Sequence, residues 1–361
     1  MKRGLWAASL GVITILGVVA GGLATYGVEF ADPALEQAIL KSFYQHEGPL
    51  TASELGAIGS LAAVEYGIVD LAGIEFCRSL SHLDLTNNSV TDVSPLATLT
   101  ELTFLSLMNN SVTDIEPLSG LRDLLVLWLD YNEVTDVRPL AGLEELAVLY
   151  LRGNHITDIS ALGGLGSLLI LDISHNAILD LAPLSGLTEL QRLRVFGNDY
   201  TSIEPLRQLT ELTELAVGFV EERQEPLDLS PLRALPRLTQ LLVSGVRVED
   251  VSLFADLEGL VELHLDFAGI EEFSALATLP RLRTLGLNYN RITDLEPLLA
   301  FPALTQVWLI GNPLDLSEGS AASATIAALE AEGVNVSLVY EPPETQLPTG
   351  PDMKYTPGLG Y

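Results

Sequence analysis

Apolar positions recur along this chain at a fixed spacing. Residues 80–99 read LSHLDLTNNSVTDVSPLATL, residues 102–121 read LTFLSLMNNSVTDIEPLSGL, and residues 124–143 read LLVLWLDYNEVTDVRPLAGL. The second leucine of each L-x-x-L falls at Leu83, Leu105, Leu127, Leu149, Leu171, Leu193, Leu215, Leu241, Leu263, Leu285 and, as a valine, Val307. Nine of the ten steps are 22 residues and one, from 215 to 241, is 26. Self-similarity held this long means a stack of like units, each burying its apolar face on its neighbours. The four extra residues fall within residues 219–229 (FVEERQEPLDL), which predict a loop bulging from one coil.

Each unit divides into parts. The L-x-L core, Leu83 and Leu85 in the first full unit, has period two and predicts a short strand with both leucines inward. An asparagine column follows at Asn88, Asn110, Asn132, Asn154, Asn176, Asn198, Asn290 and Asn312. A backbone that turns inside a stack must pair its N–H and C=O groups, and a buried Asn side chain can do so. Val220, Val246 and Ala268 break the column, so the coils after the long step are expected to be the least regular. The second half of each coil is too short for a full helix and carries Pro95, Pro117, Pro139, Pro183, Pro205, Pro231 and Pro297. It predicts extended or 3-10 turns on a convex side. An acid recurs at Asp92, Asp114, Asp136, Asp158, Asp180, Asp250 and Asp294, one coil apart at a turn start, where Asp caps backbone N–H groups. The pattern is that of a leucine-rich repeat. The predicted fold class is an α/β solenoid, a leucine-rich repeat horseshoe with a parallel concave β-sheet, a 3-10 or extended convex side and a helical N-terminal cap.

The flanks differ from the repeats. Residues 1–24 begin with Lys2 and Arg3, continue through an uncharged apolar run and reach small residues at Gly21, Gly22 and Ala24. They resemble a secretory signal peptide. The competing expectation is an uncleaved membrane anchor, because about 20 apolar residues span a bilayer. Residues 25–57 predict a helical cap: Asp32 and Pro33 start one helix, and Thr51-x-x-Glu54 is a capping box for another. Residues 58–316 hold about twelve coils, the first degenerate. Residues 317–339 predict a C-terminal cap of a helix ended by Gly333 and an edge strand over 334–339. Residues 340–361, rich in Pro and Gly, predict a disordered tail.

Composition sharpens this picture in three ways. Aliphatic rather than aromatic residues build the core, with 48% hydrophobic but only 6% aromatic positions. The net charge of −30 repels nucleic acid and anionic lipid surfaces. The single cysteine, Cys77, sits on an apolar repeat position and excludes an internal disulfide.

The 22-residue unit, its N-x-(I/V)-T-D-(I/V)-x-P-L core and the helical segment before it resemble the bacterial internalin-type leucine-rich repeat family over residues 30–339. That resemblance implies an exported, non-catalytic protein whose concave face binds another protein. The chain departs from surface-anchored members. Leu347, Pro348, Thr349 and Gly350 lack one residue of a sortase-type signal, and no apolar, basic-ended tail follows.

Outward positions beside the strand leucines are the candidate contact residues. One concentration comprises Phe104, Met108, Trp128, Asp130, Tyr131, Tyr150, Arg152, Arg192, Arg194 and Phe196. A second comprises His264, Asp266, Phe267, Tyr289 and Trp308. Trp, Tyr and Arg dominate interface hot spots. The expected partner is another protein, with a cell-surface protein or a glycan as candidates; nucleic acid is not expected, and oligomeric state is open. The alternatives are a single-pass membrane-anchored envelope scaffold, a glycan-binding module, and a cytoplasmic regulatory repeat protein. No cofactor, metal or catalytic residue is predicted. The chain lacks a Gly-rich phosphate loop, HExxH and G-x-S-x-G, and its five histidines are scattered.

Overall fold

The structure is a computed structural model that describes residues 16–19, 24–43, 47–223 and 227–338. The chain forms two compact units, residues 1–172 and 173–361. Most of the predicted leader (1–15 and 20–23) and the predicted tail from residue 339 onward lie outside the described residues. Within the leader, β1 (Leu16–Val19) and β2 (Ala24–Gly27) pair antiparallel. No helix among the described residues is long and apolar enough to cross a membrane.

In unit 1, six strands run parallel in sequence order: β3 (Ser60–Ala62), β4 (His82–Asp84), β5 (Phe104–Ser106), β6 (Val126–Trp128), β7 (Val148–Tyr150) and β8 (Ile170–Asp172). Each pair is shifted by 22 residues, so Leu61, Leu83, Leu105, Leu127, Leu149 and Leu171 lie in register. The leucines from 61 to 171 in this row are at most 1% exposed. The predicted helices are α1 (Pro33–Leu40) and α2 (Ala52–Leu55), the latter opened by the complete Thr51–Glu54 capping box. Asp32 does more than cap α1. Its Oδ1 accepts from Ala34 N–H at 2.8 Å, while Oδ2 accepts from Val69 N–H at 2.6 Å and Asp70 N–H at 3.1 Å, tying the helix to the first coil. Burial alone would raise its pKa, but these backbone donors hold the carboxyl below its ordinary value. Cys77 is fully buried, and burial, aided by Glu75, pushes its thiol up to about 12.

In unit 2, seven parallel strands repeat the arrangement: β9 (Arg192–Arg194), β10 (Glu214–Arg223), β11 (Gln240–Val246), β12 (Glu262–His264), β13 (Thr284–Gly286), β14 (Gln306–Trp308) and β15 (Asn335–Ser337). Helix α3 (Ala321–Ala331) is capped by Ser320, packs against β15, and buries Ile326 and Leu329. Its first turn lies after Ser320 rather than at residue 317, and Gly333 past its end has φ +84°.

The asparagine column behaves as one device. Asn132 Oδ1 accepts from Val112 N–H at 2.9 Å, and its Nδ2 donates to the carbonyls of Leu107, Leu129 and Asp130 at 2.8, 3.1 and 3.3 Å. Val112 and Leu107 belong to the preceding coil, so the side chain closes its own turn and clamps it to its neighbour. Asn110, Asn154, Asn198, Asn290 and Asn312 repeat the pattern within their units. The Asp column also caps: Ser94 N–H, Arg138 N–H and Ser252 N–H, for example, donate to Asp92, Asp136 and Asp250. Short 3-10 turns such as Ser94–Thr98 and Arg138–Gly142 follow those acids.

Where the Asn is missing, the fold changes in a legible way. The predicted loop at 219–229 is corrected: part of it is strand, because β10 runs for ten residues and β11 for seven. With Val220 and Val246 in place of Asn, the sequence lacks the clamp residue here and the backbone stays paired in the ladder, with an irregularity between Gly218 and Arg223. Tyr200, fully buried, closes the start of this coil by accepting Gly218 N–H at 2.7 Å and packing on Phe219 at 5.4 Å. The Ala268 coil stays regular despite lacking its own Asn, because Asn290 Oδ1 accepts both Ala268 N–H and Ile270 N–H at 3.0 Å.

Asn132→Ala removes the side-chain partner of one N–H (Val112) and three carbonyls (Leu107, Leu129 and Asp130) inside the stack. We expect it to lower the unfolding free energy by about 2–4 kcal/mol, since each orphaned buried group costs about 1–3 kcal/mol. Denaturant unfolding of the variant measures this, and a loss indistinguishable from that of an exposed-site alanine would refute the clamp.

Candidate functional site

The strand period determines which side chains can meet a partner. Alternate residues face inward, and those flanking each inward leucine face out. Most coils then leave their strand through one residue in the left-handed region, and these residues form a column, with the coil of Leu215 placing its positive φ one residue earlier, at Gly218. Asn87, Asn109, Tyr131, His175, Phe267 and Tyr289 have φ between 53° and 58° there. Gly153, Gly197, Gly245 and Gly311 hold the same register in other coils, with φ from 66° to 73°. Gly and Asn enter this region readily; a bulky side chain there costs about 1 kcal/mol or more. Polarity patterning gives no sign of φ, so this column was not foreseen. The alternation of Asn and Gly just before the Asn column was the available signal.

In unit 1, outward rings make one run across four neighbouring strands. His82 stacks on Phe104 with centroids 4.1 Å apart. Phe104 meets Trp128 edge-on at 5.0 Å, and Trp128 meets Tyr150 edge-on at 6.0 Å. Such contacts are favourable beyond their area, so the run is internally cohesive. Phe104, Met108, Trp128 and Arg152 are half-buried. Tyr131, at the left-handed position, is 39% exposed, and the Arg152 guanidinium lies 5.7 Å from its ring centre. A Cβ on Gly153 would come within 2.8 Å of the Tyr131 ring, so only glycine lets that ring lie over the next coil. Two expected surface residues are corrected: Tyr150 is 8% and Asp130 6% exposed. Trp128 covers the first. The second turns in to accept Arg152 N–H at 2.7 Å.

In unit 2, Arg192 is exposed and pairs with Glu214 at 3.1 Å, Arg194 is half-buried, and Phe196 meets His175 edge-on at 5.4 Å. His264 and Trp308 stack at 5.1 Å across Gly286, where a Cβ would collide with the His264 ring. His264 is therefore buried rather than open, with Nε2 2.8 Å from Glu262 Oε1. Phe267 and Tyr289, both left-handed and 36% and 41% exposed, stack at 4.4 Å and 11°. Asp266 is also corrected from surface to core. It is fully buried, and its Oδ1 accepts Asn288 N–H at 2.8 Å. Burial raises its pKa against the lowering influence of His264 and Asn288. The rings of the first predicted group thus fall on two units, with Arg192, Arg194 and Phe196 in unit 2.

Among the described residues, no group of three or more His, Cys, Asp or Glu side chains could hold a metal ion. A groove of about 640 Å³ in unit 2 is lined by residues of the 3-10 side, including Leu179, Pro205 and Arg207, and contains none of the outward rings.

The repeat model described as Leucine Rich repeats (2 copies) matches residues 78–120, 100–143, 144–189 and 280–318. No curated protein sequence matches the chain. Among solved structures, an internalin (inlF) from Listeria monocytogenes is 30% identical, with TM-score 0.73 over 79% of this chain and 84% of that one. Internalin C2 (inlC2) from the same species is 33% identical, with TM-score 0.53 over 65% of this chain and 94% of that one. The ectodomain of the plant receptor kinase GASSHO1/SCHENGEN3 from Arabidopsis thaliana, in complex with CASPARIAN STRIP INTEGRITY FACTOR 2, is 20% identical, with TM-score 0.52 over 68% of this chain and 34% of that one, and shares the fold alone. Fold and sheet face together define a leucine-rich repeat solenoid, a class whose fold serves as a protein-binding scaffold. The chain belongs to the internalin-like leucine-rich repeat family.

Asp266→Asn tests the inward placement of that acid. Its folded pKa is raised, so its contribution to stability is complete below the unfolded value and lost as pH rises through the folded one. Asn keeps the acceptor, as Asn288 does when it accepts Ile310 N–H at 3.0 Å. We expect the variant to be more stable than wild type at pH 7 by about 1 kcal/mol or more, the difference shrinking as pH falls to about 4. Thermal melts across that range check it.

Proposed function

We propose that this chain is an exported, non-catalytic binding protein whose outward strand face contacts another protein. The observation that carries the reading is the placement of large rings where the repeat does not need them. The buried leucine row and the Asn clamp account for the stack. The run from His82 to Tyr150 and the Phe267–Tyr289 stack add ring surface on the solvent side of that stack. Aromatic anchors within a rim of polar side chains are the composition of an interface hot spot. Export is supported by the basic, apolar and small-residue order of residues 1–24 and by membership of the internalin-like family.

The test uses the full chain, immobilised, as wild type and as Trp128→Ser, against solubilised cell-surface proteins and against polysaccharides. Trp128 is chosen because Tyr150, at 8% exposure, would confuse folding with binding. We expect protein to be retained by the wild type and its retention to fall at least about tenfold, some 1.4 kcal/mol, in the variant, with cooperative unfolding retained and only the modest drop in midpoint that the lost ring contacts bring. Retention of polysaccharide alone, or protein retention indifferent to Trp128, contradicts the reading. The mature chain is expected outside the cytoplasm with its N-terminus within residues 20–26; an intact Met1 in the membrane fraction would replace secretion with anchoring.

A further inference from the structure

Two coils share a feature absent from the others. Unit 1 contains Trp128-Leu129-Asp130-Tyr131 and unit 2 contains His264-Leu265-Asp266-Phe267. Each places an outward ring, an inward leucine, a buried acid and a left-handed ring in succession, and both left-handed rings have φ 54°.

In unit 1 a guanidinium already sits at this station. The next coil supplies Arg152, whose N–H donates to Asp130 at 2.7 Å and whose guanidinium carbon lies 5.7 Å from the Tyr131 ring centre. In unit 2 the equivalent residue is Asn288. Its N–H donates to Asp266 at 2.8 Å in the same way, but it brings no cation. Asp266 Oδ2 and Asn288 Nδ2 are fully buried and make no hydrogen bond of normal geometry, with the Asn288 amide acting on the carboxyl only as a weak pKa-lowering neighbour. An unmatched buried polar group is destabilising by about 1–3 kcal/mol. Beside it stand Phe267 and Tyr289, exposed and held in a backbone conformation that costs each about 1 kcal/mol. Asn would fit both positions without strain, as Asn87 and Asn109 do. The N–H that Asp266 accepts gives its Oδ1 a part in the frame, but stability explains neither its buried Oδ2 nor the rings.

Resting on the reading of the strand face as the contact surface, we infer that Asp266, Phe267 and Tyr289 form a site for an arginine side chain presented by a partner polypeptide. The guanidinium is the group that unit 1 supplies for itself. A guanidinium plane can stack on a ring while its fork donates to a carboxylate, a combination that a lysine ammonium cannot reproduce. An incoming cation also offsets the desolvation of Asp266, and the chain's net charge of −30 draws basic partners toward it.

The full chain is titrated calorimetrically with a short peptide of alternating glycine and arginine, and with the same peptide carrying neutral citrulline. The arginine peptide is expected to bind saturably and the citrulline peptide at least about tenfold more weakly. Asp266→Asn and Phe267→Asn are each expected to weaken the arginine peptide by a similar factor. Asn288 and Asn109 show that both replacements suit their positions, and melting curves confirm folding. Equal binding of the two peptides, equal binding by wild type and both variants, or no saturable binding overturns the inference. If Trp128-dependent protein capture persists in that case, only this site falls; if capture is absent as well, the underlying reading falls with it.

Discussion

The coils of this protein reverse their backbone inside a buried stack, and in most of them the asparagine clamp is how they do so. One side chain satisfies an N–H of the preceding coil and carbonyls of both coils, as Asn132 does for Val112, Leu107 and Leu129. The leucine row supplies the apolar burial, but burial alone has no direction. The clamp sets the register in which leucine lies on leucine at a shift of 22 residues. Its absence makes the point from the other side: where valine replaces Asn, β10 and β11 run on as a long parallel ribbon.

Because inward leucines and the clamp account for the stack, the outward positions are released from structural duty. They vary from coil to coil while the core does not. The rings gather in runs, and the exit residue of each strand adds a second row at the rim. There the backbone demands a left-handed residue, and three exposed aromatics occupy it at a local cost. Acids at the strand ends act on both sides of this division. Asp130 and Asp266 each accept an N–H from the next coil, so they belong to the frame even though they lie among the rings.

Much of this was legible in the sequence because the determining pattern is one of polarity and spacing. Leu83 and its successors, the Asn column, the Asp caps and the Pro-led 3-10 turns follow from period and residue type. The helices before the first coil were legible through Asp32-Pro33 and the Thr51–Glu54 box. Three things were not. The sign of φ at Tyr131, Phe267 and Tyr289 leaves no mark on hydropathy. The inward turn of Asp266 depends on a backbone donor in another coil, 22 residues away. The burial of His264 depends on Gly286 letting two rings close above it, which no single-residue property encodes.

The central claim is that the frame and the rings are separable: the rim aromatics serve contact and not folding. Equilibrium denaturation of the triple variant Tyr131→Asn, Phe267→Asn and Tyr289→Asn measures this directly. The account predicts a midpoint equal to or above that of the wild type, because Asn accepts the left-handed backbone with less strain. A loss of more than about 2 kcal/mol, the scale of a lost core contact, would show that the rings are part of the frame and contradict it.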